Sequence, residues 1–172
     1  MSLSGLAGQE PKRHRAADLP DSALAALGGQ TLAGILLGLI WLVAAPRPVA
    51  QWIGTYWLAR SELDFSAGQD VLFGLLMVGA GLVTGTLLAI WSAGPRPARR
   101  AALWFGGSVL GAAACALVGC ALGGAFAVHQ VGANLVAPLT LTSWGLLAAW
   151  PAVAGLVVAA TLIARGLFGR TW

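Results

Sequence analysis

Three carboxylates and one histidine are the residues of this sequence best suited to chemistry. Glu62, Asp64 and Asp70 stand close together before an apolar run, and His129 follows another such run. Brought into one pocket, these groups could transfer protons or hold a divalent cation. Asp70, however, stands where a carboxylate would cap the following helix. We therefore predict structural roles, no catalytic residue, no metal site and no cofactor, with a divalent-cation site at these carboxylates as the alternative.

The elements that carry these residues belong in a bilayer. Of the 172 residues, 58% are hydrophobic and only 9% are charged, which is too few to cover a water-soluble globule. Four stretches lack Asp, Glu, Lys and Arg and are each long enough to cross a hydrocarbon core of about 30 Å: 22–45, 71–93, 101–128 and 139–164. Helices satisfy their own backbone hydrogen bonds in lipid. The sequence therefore predicts an all-α fold, an integral membrane four-helix bundle with short loops.

The basic residues predict the orientation of this bundle. Eight of the ten fall on one side of the predicted spans: Lys12, Arg13, Arg15, Arg96, Arg99, Arg100, Arg165 and Arg170. Only Arg47 and Arg60 fall on the other. By the positive-inside rule, we expect a multi-pass plasma-membrane protein with both termini in the cytoplasm. Its domains would be a disordered basic tail (1–20), the membrane domain (21–165) and a short cytoplasmic tail (166–172). This topology accounts for a pI near 10.1 without nucleic-acid binding.

The histidines and cysteines fit the same structural interpretation. His129 would form a polar terminus of the third span, with a proton sensor as the alternative. His14 is predicted on the opposite side of the membrane, so the two histidines cannot share a haem. Cys115 and Cys120 are five residues apart on one helix and would point about 140° apart. They cannot pair with each other, and we interpret them as small packing residues.

The longest predicted exterior segment, 47–70, combines aromatic and acidic residues. Its apolar residues recur at helical spacing, which favours an interfacial helix, and a short strand pair is the alternative. Aromatic side chains are typical of the membrane interface, so the segment would at least form an aromatic belt. A more specific hypothesis is an exterior docking face, formed by Trp52, Tyr56, Trp57, Glu62, Asp64, Asp70 and His129.

Small residues recur every four positions in the predicted spans and indicate where helices approach closely. The predicted helix-packing residues are Gly34, Gly38, Gly81, Gly85, Gly107, Gly111, Cys115, Gly119, Gly123 and Gly155. A tight bundle could use all of these faces internally. Alternatively, a surplus face could meet another subunit or a second copy of the chain. Pro151 predicts a kink midway through the fourth span, because it removes a backbone donor.

Several segments together resemble a known group of proteins. They are "VLFGLLMVGAGLVTG" after the acidic residues, "RPARR", the glycine-rich third span, "NLVAPLTL" and the closing span with Trp150–Pro151. This pattern, over about residues 46–160, is similar to small actinobacterial four-span membrane proteins that share a domain of unknown function. The scarcity of lysine also suits an actinobacterium. The resemblance implies the topology described above and no catalytic or binding residues.

The predicted spans carry no ionisable group of the kind that transporters and pumps use, and no nucleophile stands beside a base. We therefore expect a non-enzymatic accessory or assembly subunit that packs against a larger envelope complex through its glycine faces and exterior segment. The alternative is a small transport component or an oligomeric pore lined by Thr84, Thr86 and Ser108. The expected partners are the lipid bilayer and other membrane subunits or further copies of the chain, and not nucleic acid.

Overall fold

Four long helices form the framework of this protein, which we describe from a computed structural model. The structure describes residues 19–47, 49–52, 57–59, 62–91, 97–126, 134–136 and 138–168. The helices are α1 (Leu19–Ala44), α2 (Glu62–Trp91), α3 (Pro97–Phe126) and α4 (Ala149–Phe168). Each contains a stretch that is long and apolar enough to span a membrane. This confirms the predicted four-helix membrane bundle.

Two helix starts differ from the prediction. Helix α2 begins at Glu62, so Asp70 lies two turns inside the helix and does not cap it. In the fourth span a 3₁₀ helix, Trp144–Ala148, leads directly into α4 at Ala149. Pro151 therefore lies in the first turn of α4, where a proline deprives the helix of no internal hydrogen bond. Pro151 thus does not lie midway through a continuous α-helix, as the predicted kink required.

Three short strands connect the helices at one end of the bundle. They are β1 (Val49–Trp52), β2 (Trp57–Ala59) and β3 (Asn134–Val136), arranged antiparallel in the order β2-β1-β3. Thus β1 and β2 form the strand pair that was the alternative above, and the prediction of an interfacial helix was wrong for these residues. Strand β3 was not foreseen, because its pairing with β1 joins segments far apart in sequence.

We call this end of the bundle the sheet end. It comprises the three strands, residues 45–47 and residues 138–143. The opposite end, where α1 begins and α4 finishes, we call the terminal end. Helices α1 and α3 run from the terminal end towards the sheet end, and α2 and α4 run back. The closest helix pairs are α1 with α3 and α2 with α4, and so each close pair is parallel.

The α1–α3 pair is built on glycines. A side-chain carbon placed on Gly34 would overlap the Gly111 carbonyl, and one placed on Gly38 would lie 2.7 Å from the Cys115 carbonyl oxygen. A step of four residues along α1 matches a step of four along α3, so the small residues of the two helices are in register. In lipid, such close backbone packing stabilises a helix pair without a hydrophobic driving force.

The α2–α4 pair repeats this arrangement. A side-chain carbon on Gly81 would lie 2.8 Å from the Trp150 carbonyl oxygen, and one on Gly85 would lie 2.8 Å from that of Ala154. The steps again match along the two helices. Gly155, farther along α4, faces α3, where a side-chain carbon would lie 3.1 Å from the Phe105 ring.

The rest of the small face of α3 is covered by the same chain. Its contacts are Gly107 with Gln30, Gly119 with Trp41 and Gly123 with Leu139. The predicted packing glycines thus meet the protein's own helices and the segment before α4. The alternative was that a surplus glycine face meets another subunit. None of these glycines is left free for such a contact, because the space beside each is already filled.

Two buried tryptophans occupy the space that α3 glycines leave. The Trp41 ring lies against Gly119, and the Trp150 ring would lie 2.7 Å from a side-chain carbon on Gly111. Neither indole is accessible to any useful extent, with exposures of 0% and 1%. Because protein interiors are densely packed, a larger residue at either glycine would have to displace an indole.

We predict that Gly111→Leu destabilises the fold while leaving membrane insertion intact. The new side chain would collide with the Gln30 carbonyl and the Trp150 ring, and we expect a loss of about 3 kcal/mol in the free energy of unfolding. Denaturant titration in detergent micelles would measure this loss. Gly124→Leu is the control, because a side-chain carbon there meets nothing within 4 Å. Equal stability of the two variants would contradict the packing described here.

Candidate functional site

A buried carboxylate organises the sheet end. Asp70 of α2 is 8% exposed. Its Oδ1 accepts a hydrogen bond from the Thr142 backbone N–H at 3.1 Å, and its Oδ2 accepts one from the Ser143 backbone N–H at 2.9 Å. Hydrogen bonds to a carboxylate are stronger than those between neutral groups. Asp70 therefore fixes the segment that leads into the 3₁₀ helix and α4, rather than the start of its own helix.

The neighbouring Gln69 extends this network to two other segments. Its Nε2 donates to the Pro46 carbonyl oxygen at 3.0 Å, and its Oε1 accepts from the Thr140 backbone N–H at 3.3 Å. The side chain is 2% exposed, and both of its bonds are partly buried. Consecutive residues of α2 thus hold the chain just after α1 and the chain just before α4.

Trp41 completes the connection between helices at this end. Its Nε1 donates to the Gln69 backbone carbonyl oxygen at 3.0 Å, and its ring packs edge-on against Phe73 with the centroids 5.0 Å apart. The indole also covers Gly119 of α3. One side chain of α1 therefore contacts both α2 and α3, and its polar edge is satisfied where water is excluded.

A second polar contact lies deeper in the bundle. Trp150 Nε1 of α4 donates to Thr84 Oγ1 of α2 at 2.9 Å, and both residues are buried. Ser108 of α3 is buried as well and donates to the Phe105 carbonyl oxygen within its own helix. Buried polar groups in a bundle of this kind need such partners, since lipid supplies none.

Among the predicted exterior docking residues, the structure describes the side chain of Asp70 alone. The backbones of Trp52 and Trp57 face each other across β1 and β2, while Glu62 and Asp64 lie in the first turn of α2. Tyr56 and His129 fall outside the described residues. Of this set, only Asp70 has described side-chain contacts, and these are structural.

The described residues offer more for holding segments together than for reaction. Both oxygens of Asp70 are engaged by backbone donors. Among the described ranges, no group of three or more His, Cys, Asp or Glu residues could hold a metal ion. Cys115 and Cys120 are both free thiols, and Cys115 is buried in the α1–α3 contact.

Sequence reasoning missed four of the residues that form these contacts: Trp41, Gln69, Thr84 as a partner of Trp150, and Trp150 itself. One available signal was the presence of glutamine in or beside an uncharged run, since an amide in a membrane bundle requires hydrogen-bond partners. Gln69 is not ionisable, so patterns of acids, bases and nucleophiles do not include it.

Comparison with known proteins supplies no function to transfer. The chain matches no protein-family model, no curated protein and no solved structure. Its resemblance to actinobacterial four-span proteins stays a prediction.

We predict that Asp70→Asn releases the segment around Thr142 and Ser143. Asparagine keeps one acceptor oxygen but presents an amide group to the other backbone N–H, and we expect a loss of about 2 kcal/mol in the free energy of unfolding. Hydrogen exchange at these two amides should speed up. Thr142→Ala is the matched control, because it retains the backbone donor. Unchanged exchange in Asp70→Asn would show that the carboxylate does not hold this segment.

We also predict measurable coupling between Trp150 and Thr84. A double-mutant cycle with Trp150→Phe and Thr84→Val should give a coupling energy of about 1 kcal/mol, because each single change breaks the same buried hydrogen bond. Unfolding in detergent micelles supplies the four stabilities. Strictly additive effects would argue against the bond.

Proposed function

We propose that this chain is a non-enzymatic accessory or assembly subunit of a larger envelope complex, and that it meets its partner through the sheet end. In this proposal it is a multi-pass plasma-membrane protein with both termini in the cytoplasm, related to the actinobacterial four-span proteins that it resembles. The glycine faces build the bundle itself. Of the two surfaces that the sequence indicates, the proposal therefore keeps the exterior segment and gives up the glycine faces.

The distribution of positive charge supports this orientation. Among the described residues, Arg99, Arg100 and Arg165 lie near the terminal end, and Arg47 lies at the sheet end. Arg47 donates to the Leu42 carbonyl oxygen at 2.7 Å and so satisfies a carbonyl at the end of α1. By the positive-inside rule, this distribution supports a sheet end on the exterior side.

The observation that carries the proposal is the buried pair Gln69 and Asp70. Burying a carboxylate and an amide is costly unless they are fully hydrogen-bonded, and here their bonds hold connecting segments rather than a reactive group. A bundle that needed only to span the membrane could leave these connections loose. A defined exterior surface is what a binding partner requires, because an ordered surface loses less entropy on binding.

The alternative of an oligomeric pore has less support. Thr84 and Ser108, two of the three polar residues suggested to line it, are buried inside the bundle at 6% and 0% exposure. Thr86 is exposed, but its hydroxyl donates to the Leu82 carbonyl oxygen of its own helix. Large side chains fill the interior between the helices, among them Trp41, Phe73, Met77 and Trp150.

Trp144 is the described side chain best suited to partner contact. It begins the 3₁₀ helix immediately after Ser143, whose backbone Asp70 holds, and it is 66% exposed. Tryptophan is enriched among the residues that dominate binding energy at interfaces. An exposed indole on an anchored segment can be buried by a partner with little further ordering.

The test is purification of the tagged full chain from its native membrane in mild detergent. We expect defined stoichiometric association with different chains, and Trp144→Ala should weaken that association about tenfold, as for an interface tryptophan. Leu156→Ala is the control, because Leu156 is similarly exposed at 69% but lies on the span of α4.

Native mass spectrometry of the purified material separates the two proposals. A closed ring made only of this chain would favour the pore. Heteromeric association that Trp144→Ala leaves unchanged would reject the role of the sheet end.

A further inference from the structure

A cleft of about 580 Å³ opens between α1 and α2 in the half of the bundle nearer the terminal end. These two helices are consecutive in the chain but hardly touch. The cleft is lined almost entirely by apolar residues, with Ala26 and Leu87 towards the terminal end and Leu36 and Leu75 near mid-span. Leu36 and Leu75 are 54% and 64% exposed, so the cleft is open to the side. Its volume lies within the range of about 300–1,000 Å³ usual for small-molecule sites.

The length of the cleft matches one leaflet of a bilayer. Its α1 wall runs from Ala26, where the candidate span begins, to Leu37. At 1.5 Å per residue this wall is roughly 16 Å long. Half of a hydrocarbon core of about 30 Å is about 15 Å. A chain that enters from the membrane surface at the terminal end would therefore fill the cleft and end at the bilayer centre.

The cleft contains a polar group that lacks a partner. Gln30 lines it and is 7% exposed, and neither Nε2 nor Oε1 has a hydrogen-bond partner among the described residues. Its amide lies beside Gly107 of α3, where a side-chain carbon would be 3.2 Å from Nε2. An unpaired amide in a membrane span is costly. An occupant with a carbonyl or hydroxyl at this depth would satisfy it.

The depth of Gln30 indicates what that polar group is. Gln30 lies four residues inside the start of the candidate span, or about 6 Å along the helix. Taken as the hydrocarbon boundary, the start of this span puts Gln30 in the outer half of that leaflet, on the side of the glycerol ester groups. An ester carbonyl can accept a hydrogen bond from Nε2.

Two arginines lie at the terminal end near the mouth of the cleft. Trp104 of α3 lines the cleft, and Arg100, which is exposed, precedes it by one turn on the same helical face. Arg99 is exposed beside it. Basic residues at a membrane surface attract anionic headgroups, and tryptophan favours the interfacial region.

From these observations we propose that the cleft binds one anionic glycerophospholipid from the leaflet at the terminal end. One acyl chain lies between α1 and α2, an ester carbonyl accepts a hydrogen bond from Gln30, and the headgroup lies near Arg99 and Arg100. The site is independent of any partner at the sheet end.

The experiment titrates the delipidated full chain with phosphatidylglycerol or phosphatidylcholine and counts bound lipids by native mass spectrometry. We expect one phosphatidylglycerol to bind preferentially. Gly79→Leu should weaken this binding about tenfold, because Gly79 lines the cleft and its side-chain position is open, with nothing within 4 Å. Gly28→Leu is the matched control, since that position is equally open but does not line the cleft.

Gln30→Leu tests the polar contact separately. Removal of an unpaired amide should leave the fold at least as stable, whereas lipid affinity should fall about fivefold through loss of one hydrogen bond. Phosphatidylglycerol with a photoreactive acyl chain should label 26–37 and 75–87. Equal binding of both lipids, uniform labelling of the lipid-facing surface, or no effect of Gly79→Leu would overturn the proposal. A dimer that Gly79→Leu abolishes would instead assign the cleft to a second copy of the chain.

Discussion

The close approach of parallel helices at glycine is the constraint on which the rest of this structure depends. In lipid, apolar side chains gain little by meeting one another, so association relies on dense packing and on polar contacts. Gly34 and Gly38 let α1 reach the backbone of α3, and Gly81 and Gly85 let α2 reach that of α4. Because both pairs are parallel, helices that are neighbours in sequence are not the closest neighbours in space. The connections from α1 to α2 and from α3 to α4 therefore cross the sheet end, where Gln69 and Asp70 hold them.

Two tryptophans and two polar residues join the helix pairs into one bundle. Trp41 and Trp150 occupy positions beside Gly119 and Gly111, and the polar edge of each indole reaches α2. At each position a glycine of α3 thus leaves space that a tryptophan of another helix fills. Gln69 and Asp70 act at the sheet end, where their bonds to backbone groups of the connections set where α1 stops and α4 starts. The same residues order the surface that we assign to a partner.

This arrangement also explains the lateral cleft. Helix α1 is held to α3 and α2 is held to α4, so α1 and α2 can meet only where a side chain bridges them. Trp41 does so near the sheet end, through Gln69 and Phe73. Towards the terminal end, Gly29 and Gly79 have no side chains with which to close the gap, and Gln30 remains unpaired within it. The packing that makes the bundle tight at one end leaves it open to lipid at the other.

The sequence by itself determined the membrane class, the number of spans and the small-residue faces. Composition and a four-residue spacing are local properties, and they decide which segments are stable in hydrocarbon and which side of a helix is small. The sequence was also compatible with the strand pair formed by β1 and β2. The sequence did not determine which helix faces meet. Only the tertiary structure decided that Gly111 contacts Gln30 and Trp150 of the same chain rather than another subunit. Asp70 shows the reason. Its position before an apolar run suggests a helix cap, yet its partners Thr142 and Ser143 lie more than seventy residues away, and a contact across that separation depends on the packing of all four helices.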